Sequence, residues 1–155
     1  MSQIYLDCDG VLADFEGGAL AVLGMNAQDF QGLHGKEGFW RKLATTKDFY
    51  TGLMLLPDAL ELVRAVEHLD PIILTGVPVG KWAAPQKEAW GRKHFPHLRL
   101  ITTAARDKSK FCEPGDVLID DREQYAADWE TAGGHFILHT STKESLVQLR
   151  KLGLI

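Results

Sequence analysis

Short apolar runs rich in Ile, Leu and Val recur along this chain, and between them apolar residues return at the three-to-four spacing of a helix. The runs Ile4–Leu6, Ile72–Leu74, Leu98–Ile101, Val117–Ile119 and Phe136–Leu138 read as strands. The segments Phe15–Leu23, Pro57–His68, Ala84–His94, Tyr125–Ala132 and Thr142–Leu152 read as helices. In the second of these, Pro57 suits a helix start, Asp58 suits the first turn, and Ala59, Leu62, Val63 and Val66 share one face. Gly133-Gly134 closes the fourth. Such alternation predicts an α/β fold with about five short parallel strands flanked by helices.

The stretch from about Gly24 to Leu56 breaks the alternation. Gly24, Gly32, Gly35, Gly38 and Gly52 interrupt aromatic-rich pieces such as Gly38-Phe39-Trp40 and Asp48-Phe49-Tyr50. It reads as a small inserted cap over approximately 24–56, the simpler alternative being a loop with a satellite core. Its position just after the first strand favours a lid.

Two strands run straight into paired acids. Ile4–Leu6 is followed by Asp7-Cys8-Asp9-Gly10, and Val117–Ile119 by Asp120-Asp121-Arg122. Side chains two apart leave a strand on the same side, so Asp7 and Asp9 can face one centre while Gly10 permits a sharp exit. A third run, Pro71-Ile72-Ile73-Leu74, ends in Thr75-Gly76. In parallel sheets ligands sit at the strand carboxyl ends, so one crevice can collect all three. Carboxylates about 4 Å apart repel by roughly 4 kcal/mol per pair at an effective dielectric near 20, and a divalent cation is the simplest remedy. Oxygen donors suit magnesium. The six histidines are scattered and form no ligand cluster, which speaks against zinc or copper.

Composition narrows the picture little further. A chain of 155 residues, 45% hydrophobic and 25% charged, is ordinary for one globular unit, so 1–155 is expected to be a single domain. A net charge of −4 argues against a broad face for long nucleic acid. No apolar run reaches membrane-span length and no leader precedes the first strand, so a cytoplasmic location without membrane attachment is expected. Cys8 and Cys112 are expected to be free thiols. Gly76-Val77-Pro78-Val79-Gly80-Lys81-Trp82 fails as a P-loop, with three residues between the glycines and Trp82 where a Ser or Thr belongs.

Taken in order, these residues resemble the haloacid dehalogenase superfamily, and within it the 5'(3')-deoxyribonucleotidase family. The resemblance covers nearly the whole chain and rests on four stretches: 7–15, Leu74-Thr75-Gly76, Arg106–Lys110, and Leu118–Arg122. The nucleotidase likeness rests on residues 10–15, on Ile119-Asp120-Asp121-Arg122 and on the aromatic pair Phe39-Trp40, although Gly76 stands where those enzymes carry a hydroxyl residue. The resemblance implies a Rossmann-like sheet with a small cap. It also implies a magnesium-dependent phosphomonoester hydrolase in which Asp7 forms an aspartyl-phosphate, while Asp9 protonates the leaving oxygen and later activates water. Magnesium would be held by Asp7, the Asp9 carbonyl and Asp120, with Asp121 as an accessory group. Thr75 and the Gly76 amide would bind the phosphoryl group. A lysine would neutralise it: Lys108 is the choice by its Arg-Asp-Lys context, with Lys110, closer to the usual spacing before the acidic pair, as the alternative. Phe15, Phe39 and Trp40 would surround the rest of the substrate. The expected partner is a small phosphorylated metabolite, with a deoxynucleoside monophosphate as the leading candidate. A phosphatase for a sugar or other small phosphate is the alternative, and a metal-and-phosphate-binding module without turnover the non-enzyme reading, against which Asp7 and Asp9 weigh.

Overall fold

The computed structural model describes residues 2–155. Five strands, β1 (Ile4–Leu6), β2 (Ile72–Gly76), β3 (Arg99–Thr103), β4 (Val117–Asp120) and β5 (His135–Leu138), form one sheet in the order β3-β2-β1-β4-β5. Every pairing is parallel, with Tyr5 opposite Ile72 and Ile4 opposite Val117. The helices are α1 (Phe15–Leu23), α2 (Ala27–Thr45), α3 (Ala59–Val66), α4 (Ala83–His94), α5 (Ala126–Thr131) and α6 (Thr142–Lys151). This is the doubly covered, Rossmann-like architecture that the alternation predicts.

Period two divides the sheet's side chains between its faces. Ile4, Leu6, Ile73, Val117 and Ile119 join one large core, whereas Tyr5, Leu74 and Leu118 gather around Trp129 of α5 in a second. Tyr5 meets Trp129 edge-on with ring centroids 5.5 Å apart. Because β1 and β4 are buried on both faces, they read as continuous apolar runs rather than as alternation. Each fully buried Leu, Ile or Val contributes roughly 1.5–3 kcal/mol, which places the most strongly held strands in the middle of the sheet.

Helical boundaries follow the expected pattern within a few residues, except between α1 and α3. There the chain is helical over Ala27–Thr45, broken at Gly35, where φ is 72° and ψ 171°. Asn26 caps its start by accepting from the Asp29 amide at 2.8 Å. The glycines at 32, 35 and 38 lower helix propensity, and only Ala27, Phe39 and Leu43 are buried along it, so the apolar stripe is too thin to announce a helix. Both ends of this excursion are pinned together: the Asp14 amide donates to the Met54 carbonyl and the Leu56 amide to the Leu12 carbonyl, each at 2.8 Å. The chain thus leaves the sheet after β1 and returns to the same place.

Among the described residues, no helix is long and apolar enough to cross a membrane. Cys8 and Cys112 are free.

Candidate active site

The carboxyl ends of β1, β2 and β4 converge on a cavity of about 290 Å³. Asp7 follows β1 directly, its amide donating to the Ile119 carbonyl at 2.9 Å, so the register of β1 on β4 fixes its position. The chain then turns tightly on the Cys8 carbonyl, which accepts from the amides of Leu12 and Ala13. Gly10 takes a φ of +82°, and any side chain on it would collide with the Asp121 carboxylate. A glycine is therefore needed twice over, for its conformation and for the space that Asp121 occupies.

Asp7, Asp120 and Asp121 each offer a carboxylate oxygen within 4.8 Å of the others. Lys108, carried by the short 3-10 helix Ala105–Phe111 that follows β3, is 5% exposed and donates to Asp7 Oδ1 and to Asp120 Oδ2, both at 2.9 Å. Lys110 points elsewhere; it is exposed and pairs with Asp107. Of the chosen Lys108 and its alternative Lys110, only Lys108 stands beside Asp7 and Asp120. Asp120 also accepts from the Arg122 amide at 3.0 Å.

The electrostatics follow from this crowding. Burial pushes Asp7 up, but the charge and hydrogen bond of Lys108, joined by Lys87 and a hydrogen bond with Asp120, together outweigh it and hold Asp7 below the usual carboxylate range. Lys108 is raised, because the attraction of Asp7 and Asp120 exceeds its own desolvation. Asp120 is raised by burial and by the charge of Asp7. Asp121 is pushed up to about 8 by burial and then by the charges of Asp7 and Asp120. Two carboxylates thus share one lysine while Asp121 crowds them without it, and the all-oxygen donor set of the three fits a hard divalent cation.

Asp9 lines the same cavity but is tied differently. Its Oδ2 accepts from Lys87 of α4 at 2.7 Å, while its Oδ1 is buried without a hydrogen-bond partner. Burial holds Asp9 above the usual range despite Lys87. Lys87 did not figure among the sequence candidates. The available signal is its place on α4: Ala83, Lys87, Trp90 and Gly91 are the buried positions, so a lysine sits on the apolar stripe of its helix.

Gly76 lines the cavity, whereas Thr75 is completely buried behind it, its Oγ1 accepting from Lys87 at 2.7 Å. Beyond Gly76 the wall is closed by Ala105, against which a side chain at position 76 would press at 3.0 Å. Of the three aromatic candidates, Phe15 and Trp40 line the cavity, while Phe39 is 2% exposed and packs inward against both. Tyr50 takes the remaining place on that wall, tilted 31° to Phe15 with centroids 6.1 Å apart. Glu16, Arg122, Gln124 and Tyr125 supply polar and mixed groups around it.

No family model matches the chain. Over 171 aligned positions it is 32% identical to the mitochondrial 5'(3')-deoxyribonucleotidase of Mus musculus, covering 96% of this chain and 77% of that protein. It is 29% identical to the cytosolic-type enzyme of Homo sapiens, with 89% and 79% covered. Among solved structures, an HAD family hydrolase from Deinococcus radiodurans R1 with bound phosphate and sodium superposes with a TM-score of 0.60 at 16% identity, covering 100% and 97% of the two chains. L-2-haloacid dehalogenase from Xanthobacter autotrophicus gives 0.59 at 13% identity, covering 100% of this chain and 84% of that one. At such identities the structures speak for a shared fold.

Proposed function

The chain belongs to the 5'(3')-deoxyribonucleotidase family of phosphatases, and we propose that it hydrolyses small phosphomonoesters with magnesium through a phospho-Asp7 intermediate, a deoxynucleoside monophosphate being its substrate. The observation that carries this reading is the Asp7 carboxylate at the cavity wall, kept ionised by Lys108 at 2.9 Å, with Asp9 two residues on at the same wall. An ionised carboxylate is a nucleophile, and a neighbouring carboxyl raised by burial suits proton exchange.

In the first half-reaction an Asp7 oxygen forms a bond to phosphorus while the ester oxygen leaves and takes a proton from Asp9. In the second, Asp9 removes a proton from water as that water attacks the phospho-Asp7 phosphorus and the bond from phosphorus to the Asp7 oxygen breaks, releasing inorganic phosphate and the free Asp7 carboxylate. Lys108 and the backbone at Gly76 offset the phosphoryl charge throughout, and Thr75 supports that wall from behind. Asp7, Asp120 and the Asp9 carbonyl would hold the magnesium, with Asp121 accessory. When bound, the metal would polarise the phosphoryl group and relieve the repulsion among these carboxylates. The segment 24–56 serves as a small cap, bringing Trp40 and Tyr50 to the wall where a flat base can lie against them and Phe15.

Asp7→Asn tests the reading. It should abolish turnover of every phosphate ester while the circular dichroism spectrum stays that of the wild type. Near-wild-type turnover would refute it.

A further inference from the structure

Lys87 is 1% exposed, and its charge is answered entirely from within the protein. An ammonium group carries three donors and no lone pair. Its Nζ lies 2.7 Å from Asp9 Oδ2, 2.7 Å from Thr75 Oγ1 and 2.9 Å from the Gly76 carbonyl oxygen, so every donor is used. The Tyr50 ring covers it, its centroid 4.5 Å from Nζ, and Trp82 stacks on the same ring at 5.3 Å. With no donor free and no exposed surface, Lys87 is not built to bind substrate. The atoms it holds belong to the Asp9 carboxyl, to the end of β2 that borders the cavity, and to the aromatic wall. Asp9 Oδ1 has no partner, so Lys87 is the tether of that carboxyl.

We infer that Lys87 is a positioning residue that fixes the Asp9 carboxyl relative to the leaving oxygen by anchoring it to the terminus of β2 and to Tyr50. The inference rests on the reading of Asp7 as nucleophile and Asp9 as proton donor. As the bond from Asp7 to phosphorus forms and the bond from phosphorus to the ester oxygen breaks, that oxygen keeps the electron pair and takes the proton from Asp9. Transfer over so short a path depends on direction, and a carboxyl held by one oxygen has its direction set. Removing the tether therefore costs most where the leaving oxygen most needs the proton.

The test compares Lys87→Met with the wild type on p-nitrophenyl phosphate, whose leaving group needs no proton, and on a deoxynucleoside 5'-monophosphate, whose alkoxide does. The nucleotide should lose about 100-fold or more in kcat/KM and the p-nitrophenyl ester less than about tenfold. With hydrolysis of phospho-Asp7 also slowed, about one equivalent of p-nitrophenol per enzyme should appear in a burst. Equal losses on the two esters without a burst would overturn the inference and leave Lys87 a core-filling group. Asp7→Asn run in parallel separates the two readings: if it stays active the nucleophile assignment fails, and if it is silent beside equal Lys87→Met losses only the positioning role fails. Should Lys87→Met not fold, Lys87→Gln is measured in the same way. Failure of both to fold would likewise assign Lys87 to the core and overturn the inference.

Discussion

Replacing Lys108 by methionine removes an ammonium and keeps an unbranched stem, so the perturbation is almost purely electrostatic. The wild-type Nζ sits 2.9 Å from Asp7 Oδ1 and 2.9 Å from Asp120 Oδ2, and these two carboxylates share a space 4.8 Å across with Asp121. At an effective dielectric near 20, unit charges 4 Å apart interact by about 4 kcal/mol, so the lysine offsets repulsion of that size from each neighbour. Breaking a buried pair by removing one partner costs about 3–5 kcal/mol, less than the sum of the pairs, because the remaining carboxylates relax or take up a proton. In a chain of this length each kcal/mol moves the melting temperature by roughly 2–4 °C, so Lys108→Met should melt about 6–20 °C below the wild type in chelator. Magnesium should recover more of the variant's Tm than it adds to the wild type, because it meets carboxylates no longer partnered by an ammonium. Thermal unfolding by circular dichroism with EDTA and then with magnesium measures both. A variant that melts within about 2 °C of the wild type in EDTA would refute the reasoning, because the carboxylates would not then depend on Lys108.

Two further outcomes are expected. EDTA should silence the enzyme and magnesium restore it, calcium binding without supporting efficient turnover, and Asp120→Ala should raise the magnesium needed for half-maximal rate; full activity in metal-free buffer, or an unchanged titration, would contradict the site. Trp40→Ala should lower kcat/KM for a nucleotide by about five- to a hundred-fold, as the loss of one base–aromatic contact of roughly 1–3 kcal/mol requires, and scarcely affect a small phosphate without a ring; a parallel loss on both would mean that Trp40 only holds its segment together.

Most of the sheet was legible because buried parallel strands write themselves as short apolar runs, and the acids that follow β1 and β4 stand out at their ends. Lys108 could be named only through its Arg-Asp-Lys context. Spacing to the acidic pair favours Lys110 instead, and only the short 3-10 helix settles it, turning Lys108 inward and Lys110 outward. The helix α2 escaped notice because three glycines and a polar surface mask a stripe of three buried residues. Lys87 and Tyr50 were hidden for a different reason: each acts through neighbours distant in sequence, and the place of Lys87 on the buried stripe of α4 marks its burial but not its partners. Phe39 and Trp40 are adjacent, yet α2 turns one into the core and the other to the cavity wall, a distinction that only a settled helical phase reveals.

The central position of β1 has a bearing on how the molecule comes into being. Strand β1 runs into Asp7, the nucleophile of the proposed mechanism, but its partner β4, with Asp120 and Asp121 at its tip, lies about three-quarters of the chain away. Closing so long a loop is slow, and the acids repel as it closes, so the union of β1 with β4 belongs late in folding. A nascent chain that has not yet reached Val117 holds Asp7 and Asp9 without the groups that would make them an enzyme. On the proposed mechanism, the step that completes the carboxylate cluster is therefore the pairing of a single strand, β4, beside β1.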